Sequence, residues 1–244
     1  EFMGESAKLL SPNKTVLMPD KDADCPMAHM VDEYFIARLR KEYEDLCVVC
    51  YINSTAEIKT MSDVCVTSSN AKRIVEALPN KNILFIPDQN LGKHIAELVP
   101  SKNFLFCNGY CPTHYRITPE DILTAKEKHP GAPVLIHPEC KPECVELADY
   151  AGSTSGIIDY ATNDQEHDEF IVVTEIGVIH EMEKRNPGKK FYPATDKLVC
   201  PNMKKNTLEK VRDCLKNNTN QVELDEEFME KAKKPLERMH ELAK

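Results

Sequence analysis

Cys25, Cys111 and Cys200 stand at one position of a threefold internal repeat, 86 and 89 residues apart. Three thiolates at matched positions suit a soft metal, either zinc or an iron–sulfur cluster. Each cysteine closes a segment of the same grammar, over residues 4–25, 92–111 and 177–200. The segment runs glycine, short amphipathic stretch, Pro-x-Lys, apolar strand, loop, cysteine. The prolines are Pro12, Pro100 and Pro187, and the lysines Lys14, Lys102 and Lys189. If three homologous domains surround a pseudo-threefold axis, the sulfurs converge on one point. A 4Fe-4S cluster held there by three thiolates keeps one iron for substrate, which makes it a Lewis acid rather than an electron carrier.

A second set of residues emerges when 47–70 is laid on 133–156 at a constant offset of 86. Tyr51 falls on His137, Asn53 on Glu139, Asp63 on Asp149, and Thr67-Ser68-Ser69 on Ser153-Thr154-Ser155. Tyr51 with Asn53, and His137 with Glu139, are i, i+2 pairs that share one side of a strand end. They are candidate acid, base and orienting groups beside an electrophilic iron; turn chemistry is the blander reading. The small hydroxyl runs 67–70 and 152–156 open helices, whose N-termini bind carboxylate or phosphate, although ordinary N-capping also explains them. His114, in CPTH, is open between a fourth zinc ligand, a donor to another ligand, and a surface residue.

For the other seven cysteines burial is the default. Cys47 and Cys50 form a CxxC inside an apolar strand, Cys65, Cys107 and Cys214 read as packing residues, and Cys140 and Cys144, in a loop around Pro142, are candidate redox-sensitive thiols.

The elements that must position these groups are apolar strands ending in polar residues, each followed by a helix-length segment. That pattern predicts βαβ units with buried parallel sheets. The fold class is therefore α/β: three pseudo-threefold-related, three-layer α/β/α domains, the first incomplete. The repeat gives boundaries at 1–26 plus 204–244, 27–112 and 113–203. Only 24 residues precede Cys25, so by the repeat's own period roughly 60 residues of the first domain are expected to be missing. Helical patterns over 207–217 and 225–243 are expected to pack on that first segment. The second carries Phe228, Met229, Ala232, Leu236 and Met239 on one face and a kink at Pro235.

Forty acidic against 31 basic residues give a net charge of -9, which opposes a phosphate-backbone footprint, so nucleic acid is not an expected partner. No stretch reaches the roughly 20 apolar residues a membrane helix needs, and the first residues, EFMGESAKLL, lack the basic n-region, apolar h-region and cleavage site of a signal peptide, so a cytoplasmic, membrane-free protein is expected. Ten cysteines in 244 residues are too few for a disulfide scaffold and many for packing alone.

YINSTAEIK, VTSSNA, GYCPTH, HPEC, GSTSG, KFYPA and CPNMK, in this order and spacing, resemble the quinolinate synthase (quinolinate synthetase A) family over essentially the whole chain. The resemblance implies three α/β domains around a 4Fe-4S cluster with Cys25, Cys111 and Cys200 as ligands. It implies condensation of iminoaspartate with dihydroxyacetone phosphate, with loss of phosphate and two waters, to give quinolinate for NAD biosynthesis. An L-aspartate oxidase or aspartate dehydrogenase would supply the iminoaspartate. Tyr51, Asn53, Ser68, His137, Ser153 and Thr154 match substrate-contacting positions, and Glu139 a carboxylate beside the open iron, with Glu139, Tyr51 and His137 moving protons. Against the family pattern the chain starts partway through the first domain, as an N-terminally truncated member would, and turnover is expected to need the preceding segment. Ala194 and Lys197 stand where some members carry extra cysteines, so no disulfide switch is expected. The competing expectations are a non-catalytic module with structural zinc on Cys25, Cys111, Cys200 and His114, and an inactive fragment or paralogue that binds without turning over.

Overall fold

A computed structural model describes residues 1–244. In chain order the elements are α1 (Phe2–Leu10), α2 (Glu33–Glu42), β1 (Leu46–Tyr51), α3 (Ala56–Thr60), β2 (Val64–Val66), α4 (Ala71–Ala77), β3 (Asn82–Ile86), α5 (Gln89–Leu98) and β4 (Asn103–Phe106). They continue with α6 (Pro112–Tyr115), α7 (Pro119–Lys128), β5 (Val134–Ile136), α8 (Pro142–Val145), β6 (Tyr150–Ala151), α9 (Thr154–Asn163), β7 (Glu169–Val173), α10 (Gly177–Arg185) and β8 (Lys190–Pro193). The chain ends with α11 (Leu208–Asn217) and α12 (Glu226–Leu242). By compactness it divides into Glu1–Gly109 with Pro201–Lys244, and Tyr110–Cys200.

Each unit holds one parallel four-stranded sheet, in the orders β2-β1-β3-β4 and β6-β5-β7-β8. The duplicated sequence is thus a duplicated sheet. Asp63 shows why the two registers agree: its carboxylate accepts the Val48 N–H at 2.7 Å while its own N–H donates to Val48 O at 2.9 Å. Asp149 makes the same pair of contacts with Val134, at 2.8 and 2.9 Å. One aspartate in each repeat therefore pins the start of the second strand to the first.

In the second unit the strand period of two separates two cores. Val134, Ile136, Ile171 and Val173 face Ile122 and Ala125 of α7 and Cys144 of α8. Leu135, Phe170 and Val172 face Ile157 and Ala161 of α9 and Met182 of α10. The sheet lies between two helical layers, which is why its strands read as unbroken apolar runs. In the first unit β1 is buried at every residue, α12 covers α3 and β2, and α1 packs on α12. Ala232, Leu236 and Met239 are the buried face of α12, which continues through the buried Pro235.

The repeat signals acquire structural meaning. Pro12, Pro100 and Pro187 each lie two residues beyond a helix end, where proline cannot extend the helix. Lys102 donates to Leu78 O and, at 2.9 Å, to Asn80 O; Lys189 donates at 2.7 Å to Ala161 O and also to Asp164 O. Both cations thus satisfy carbonyls at a helix C-terminal end. One expectation is corrected: residues 16–18 form no strand, only a bridge from Leu17 to Gln221, with Met18 N–H donating to Asn220 O at 2.9 Å and Val222 N–H to Val16 O at 2.9 Å. No helix is long and apolar enough to cross a membrane.

Candidate active site

The repeat cysteines follow loops that are hooked to strand ends in the same way. Two residues before Cys111, Gly109 O accepts the Gln89 N–H at 2.9 Å; two residues before Cys200, Leu198 O accepts the Ile176 N–H at 2.9 Å. The first hook requires glycine, because a Cβ at 109 would strike the Pro87 carbonyl oxygen. Cys25 and Cys111 each precede a proline that begins a short helical turn, and Pro201 follows Cys200. These three cysteines are half-buried, whereas the other seven are buried, and none is in a disulfide.

Burial pushes the Cys47 thiol up to about 12 and those of Cys107 and Cys144 up to about 11, which keeps them protonated and inert. Cys140 and Cys144 are therefore core residues: both belong to the α7–α8 side of the second sheet, and the Cys144 thiol lies 3.5 Å from Ile117 O. Burial, the default for these cysteines, holds for both, and the alternative of redox-sensitive thiols falls. Pro142 begins α8, which buries Cys144, while Cys140 is in the turn closed by its N–H on His137 O.

In the second unit, Cys111, His114 and Glu139 each offer a ligand atom within 4.8 Å of the others. His114 Nδ1 is 2.9 Å from Glu139 Oε2 and 3.2 Å from Cys111 Sγ, and its Nε2 is 3.0 Å from Thr174 Oγ1. His114, Glu139 and Thr174 are 6%, 4% and 4% exposed, so the surface reading of His114 falls. Desolvation, reinforced by the nearby Glu139 charge, pushes the Cys111 thiol up, while main-chain N–H groups of His114 and Thr113 oppose it. A bound cation would invert that balance.

His137 directly follows β5, and its Nδ1 accepts the Glu139 N–H at 3.3 Å, so the neutral ring carries its proton on Nε2. The strand stops at Ile136. A turn closed by Cys140 N–H on His137 O, at 3.0 Å, therefore brings His137 and Glu139 together; strand alternation does not. Glu175 accepts the Cys200 N–H at 3.2 Å and the Gly177 N–H at 2.8 Å. Thr174 and Glu175 were missed by sequence reasoning, and the signal was a polar pair at the carboxyl end of a buried parallel strand. Ser153 caps α9 through Gly156 N–H at 3.1 Å, so its capping role is realised, and Thr154 is exposed at the first helical position.

In the first unit, Tyr51 ends β1 and is 5% exposed, and Asn53 and Ser68 are half-buried. Asn53 sits in a turn closed by Ser54 Oγ on Tyr51 O at 2.8 Å. The fully buried Lys59 brackets it, with Nζ donating to Ile52 O at 3.1 Å and to Ser54 O. Lys59 had carried no functional expectation. Thr67 N–H donates to Asn70 Oδ1 at 2.7 Å, so the run before α4 is a side-chain-closed turn. Cys25 N–H donates to Asp24 Oδ1 at 2.6 Å.

Residues 1–241 match the family model described as quinolinate synthetase A protein. Among curated relatives, the quinolinate synthases of Caldicellulosiruptor bescii and Clostridioides difficile are 53% and 54% identical to the chain, each over 99% of it and 79% of their own length. That of Methanoregula boonei is 45% identical over 98% of the chain and 78% of its own length. The matched segments contain all three repeat cysteines and the polar strand ends, and on that footing the chain belongs to the quinolinate synthetase A family of enzymes.

Proposed function

We propose that the chain condenses iminoaspartate with dihydroxyacetone phosphate, releasing phosphate and two waters to give quinolinate, with a 4Fe-4S cluster bound through Cys25, Cys111 and Cys200. The observation that carries this reading is the partition of the thiols: the three at the repeat position are half-buried and unbridged, and the rest are buried. Such donors fit an iron–sulfur cluster, which needs soft thiolates, and each belongs to a short loop rather than a packed strand. When bound, the cluster supplies a Lewis-acidic iron.

The chain's own groups supply the remainder. Glu139 is a carboxylate held by a histidine beside one cysteine ligand, the placement of a group that takes and returns protons. His137 presents Nε2–H as a donor to a substrate carboxylate or carbonyl. The N-terminus of α9, opened by Ser153 and Thr154, offers main-chain N–H groups to a carboxylate or phosphate. Tyr51, Asn53 and Ser68 are proposed to contact substrate from the first unit. The zinc-module alternative is not favoured by membership of an enzyme family.

Anaerobic purification followed by iron, sulfide and zinc analysis tests the reading. Iron and sulfide are expected in equal amounts, both lost in Cys25→Ser, Cys111→Ser or Cys200→Ser. Glu139→Gln should keep both while slowing quinolinate release by roughly 10²- to 10⁴-fold, the usual yield of a proton-transfer group. Stoichiometric zinc without sulfide overturns the proposal.

A further inference from the structure

Glu139 stands in a turn rather than on a strand or helix, and turns hold side chains less firmly than regular elements do. Its orientation must therefore come from a contact. The carboxylate can only accept hydrogen bonds, so the 2.9 Å contact to His114 requires the imidazole proton on Nδ1. A thiolate at Cys111, 3.2 Å from the same nitrogen, would demand the same tautomer. In the neutral ring Nε2 is then the unprotonated nitrogen, and its partner at 3.0 Å is the hydroxyl of Thr174, which is able to donate.

We propose that Thr174 and His114 form a positioning relay, the Thr174 hydroxyl fixing the His114 tautomer and His114 Nδ1–H holding the Glu139 carboxylate in one orientation for proton transfer. The inference rests on Glu139 having the role assigned above. Both supports are rigid. Thr174 immediately follows β7, whose last residue, Val173, accepts the His137 N–H at 3.1 Å. His114 lies in α6, begun by Pro112 and closed by Tyr115 N–H on Cys111 O at 2.9 Å. A strand end and a helical turn thus fix the two ends of the imidazole, and the carboxylate on the turn between β5 and α8 is placed by them. The arrangement is that of partners outside the ligand shell of a metal centre, which set ring tautomer and ligand direction.

The substitutions to make are Thr174→Val, which deletes the hydroxyl at nearly constant shape, and Thr174→Ser, which restores it. In the cluster-free chain, nitrogen-15 spectra of the imidazoles, with His114 assigned by its loss in His114→Gln, should show proton on Nδ1. Thr174→Val should lose that preference and Thr174→Ser keep it. In the cluster-loaded protein, Thr174→Val should lower kcat by roughly 10- to 100-fold, the usual cost of removing such a partner, with iron, sulfide and KM nearly unchanged. Thr174→Ser should recover most of the loss. A merely structural threonine would change stability without splitting kcat from KM. Proton on Nε2 in the unsubstituted chain overturns the relay even if the enzyme is active. Full kcat in Thr174→Val overturns the positioning role even if the tautomer is as stated. One zinc per cluster-free chain, lost in His114→Gln, also overturns it, because Nδ1 would then be a ligand lone pair. Absence of iron and sulfide from the unsubstituted protein strikes the functional reading instead and leaves the tautomer result to stand or fall alone.

Discussion

The turns after β1 and β5 leave equivalent sheets and are held by different chemistry. After β1, a serine hydroxyl closes the turn and a buried lysine ammonium brackets Asn53. After β5, a main-chain hydrogen bond closes it, and a histidine–glutamate contact occupies the space beside Cys111. The sheets behind them share strand order and the aspartate that pins the second strand. Duplication has kept what sets the backbone and let the strand ends diverge, one toward neutral and cationic donors and the other toward a carboxylate.

The largest expected effect that breaks this equivalence is Lys59→Met. It leaves the Ile52 and Ser54 carbonyls without their donor, at roughly 1–3 kcal/mol for each unsatisfied group. The urea midpoint of the first unit should fall while that of the second holds; an unchanged midpoint would mean that water or relaxation replaces the ammonium. The same substitution should raise the Cys50 thiol. Cys50 is now held down to about 6, first by its hydrogen bond with Cys65 and then, against burial, by Lys59 and the Ser54 and Ser62 hydroxyls.

Asp63→Ala and Asp149→Ala sharpen the equivalence. Each removes a carboxylate that accepts a main-chain N–H, so each should cost about 1–3 kcal/mol, and urea titration should find the two losses alike apart from the half-exposed Arg40 pair that Asp63 alone makes at 3.0 Å, worth up to about 1 kcal/mol. A difference beyond that range would show that one sheet does not depend on its pin.

The smallest effect concerns acid. Burial pushes Asp121 up, but its hydrogen bonds from Lys197 and Thr118 outweigh this and hold it below the usual carboxylate range. Asp20 is likewise held down, first by Lys210. A carboxyl whose folded pKa is depressed stabilises the fold above its unfolded pKa, about 3.9, and the contribution is lost as pH falls through the folded value. Lys197→Met should therefore remove a small part of the acid sensitivity of the second unit below about pH 4, measured by thermal melts across pH 2–5, and leave the first unit unaffected.

What the sequence carried well was anything repeated. The offset of 86 put Asp63 on Asp149 and Tyr51 on His137, and the positions agree because the first pair precedes the second strand of each sheet and the second pair stands at the end of the first. The α/β class followed from apolar runs too long for a half-exposed sheet. What it carried poorly were contacts between segments distant in the chain. Thr174 touches His114 sixty positions away, and no local pattern marks that meeting. For Cys140 and Cys144 the burial default holds, but the helical turn begun by the proline between them was not foreseen. Residues 16–18 have the pattern of a strand, but their bonds go to 220–222 as a bridge, a partner that chain order gives no reason to choose.

The partition of sulfur between surface loops and sheet interiors governs how such a protein ages in air. Oxidation follows thiolate character and access, so damage after loss of the proposed cluster would concentrate on the three half-buried sulfurs and spare the seven buried ones. If the proposed cluster is bound, the polypeptide would outlast it, and a mild reductant with fresh iron and sulfide is all that repair would demand.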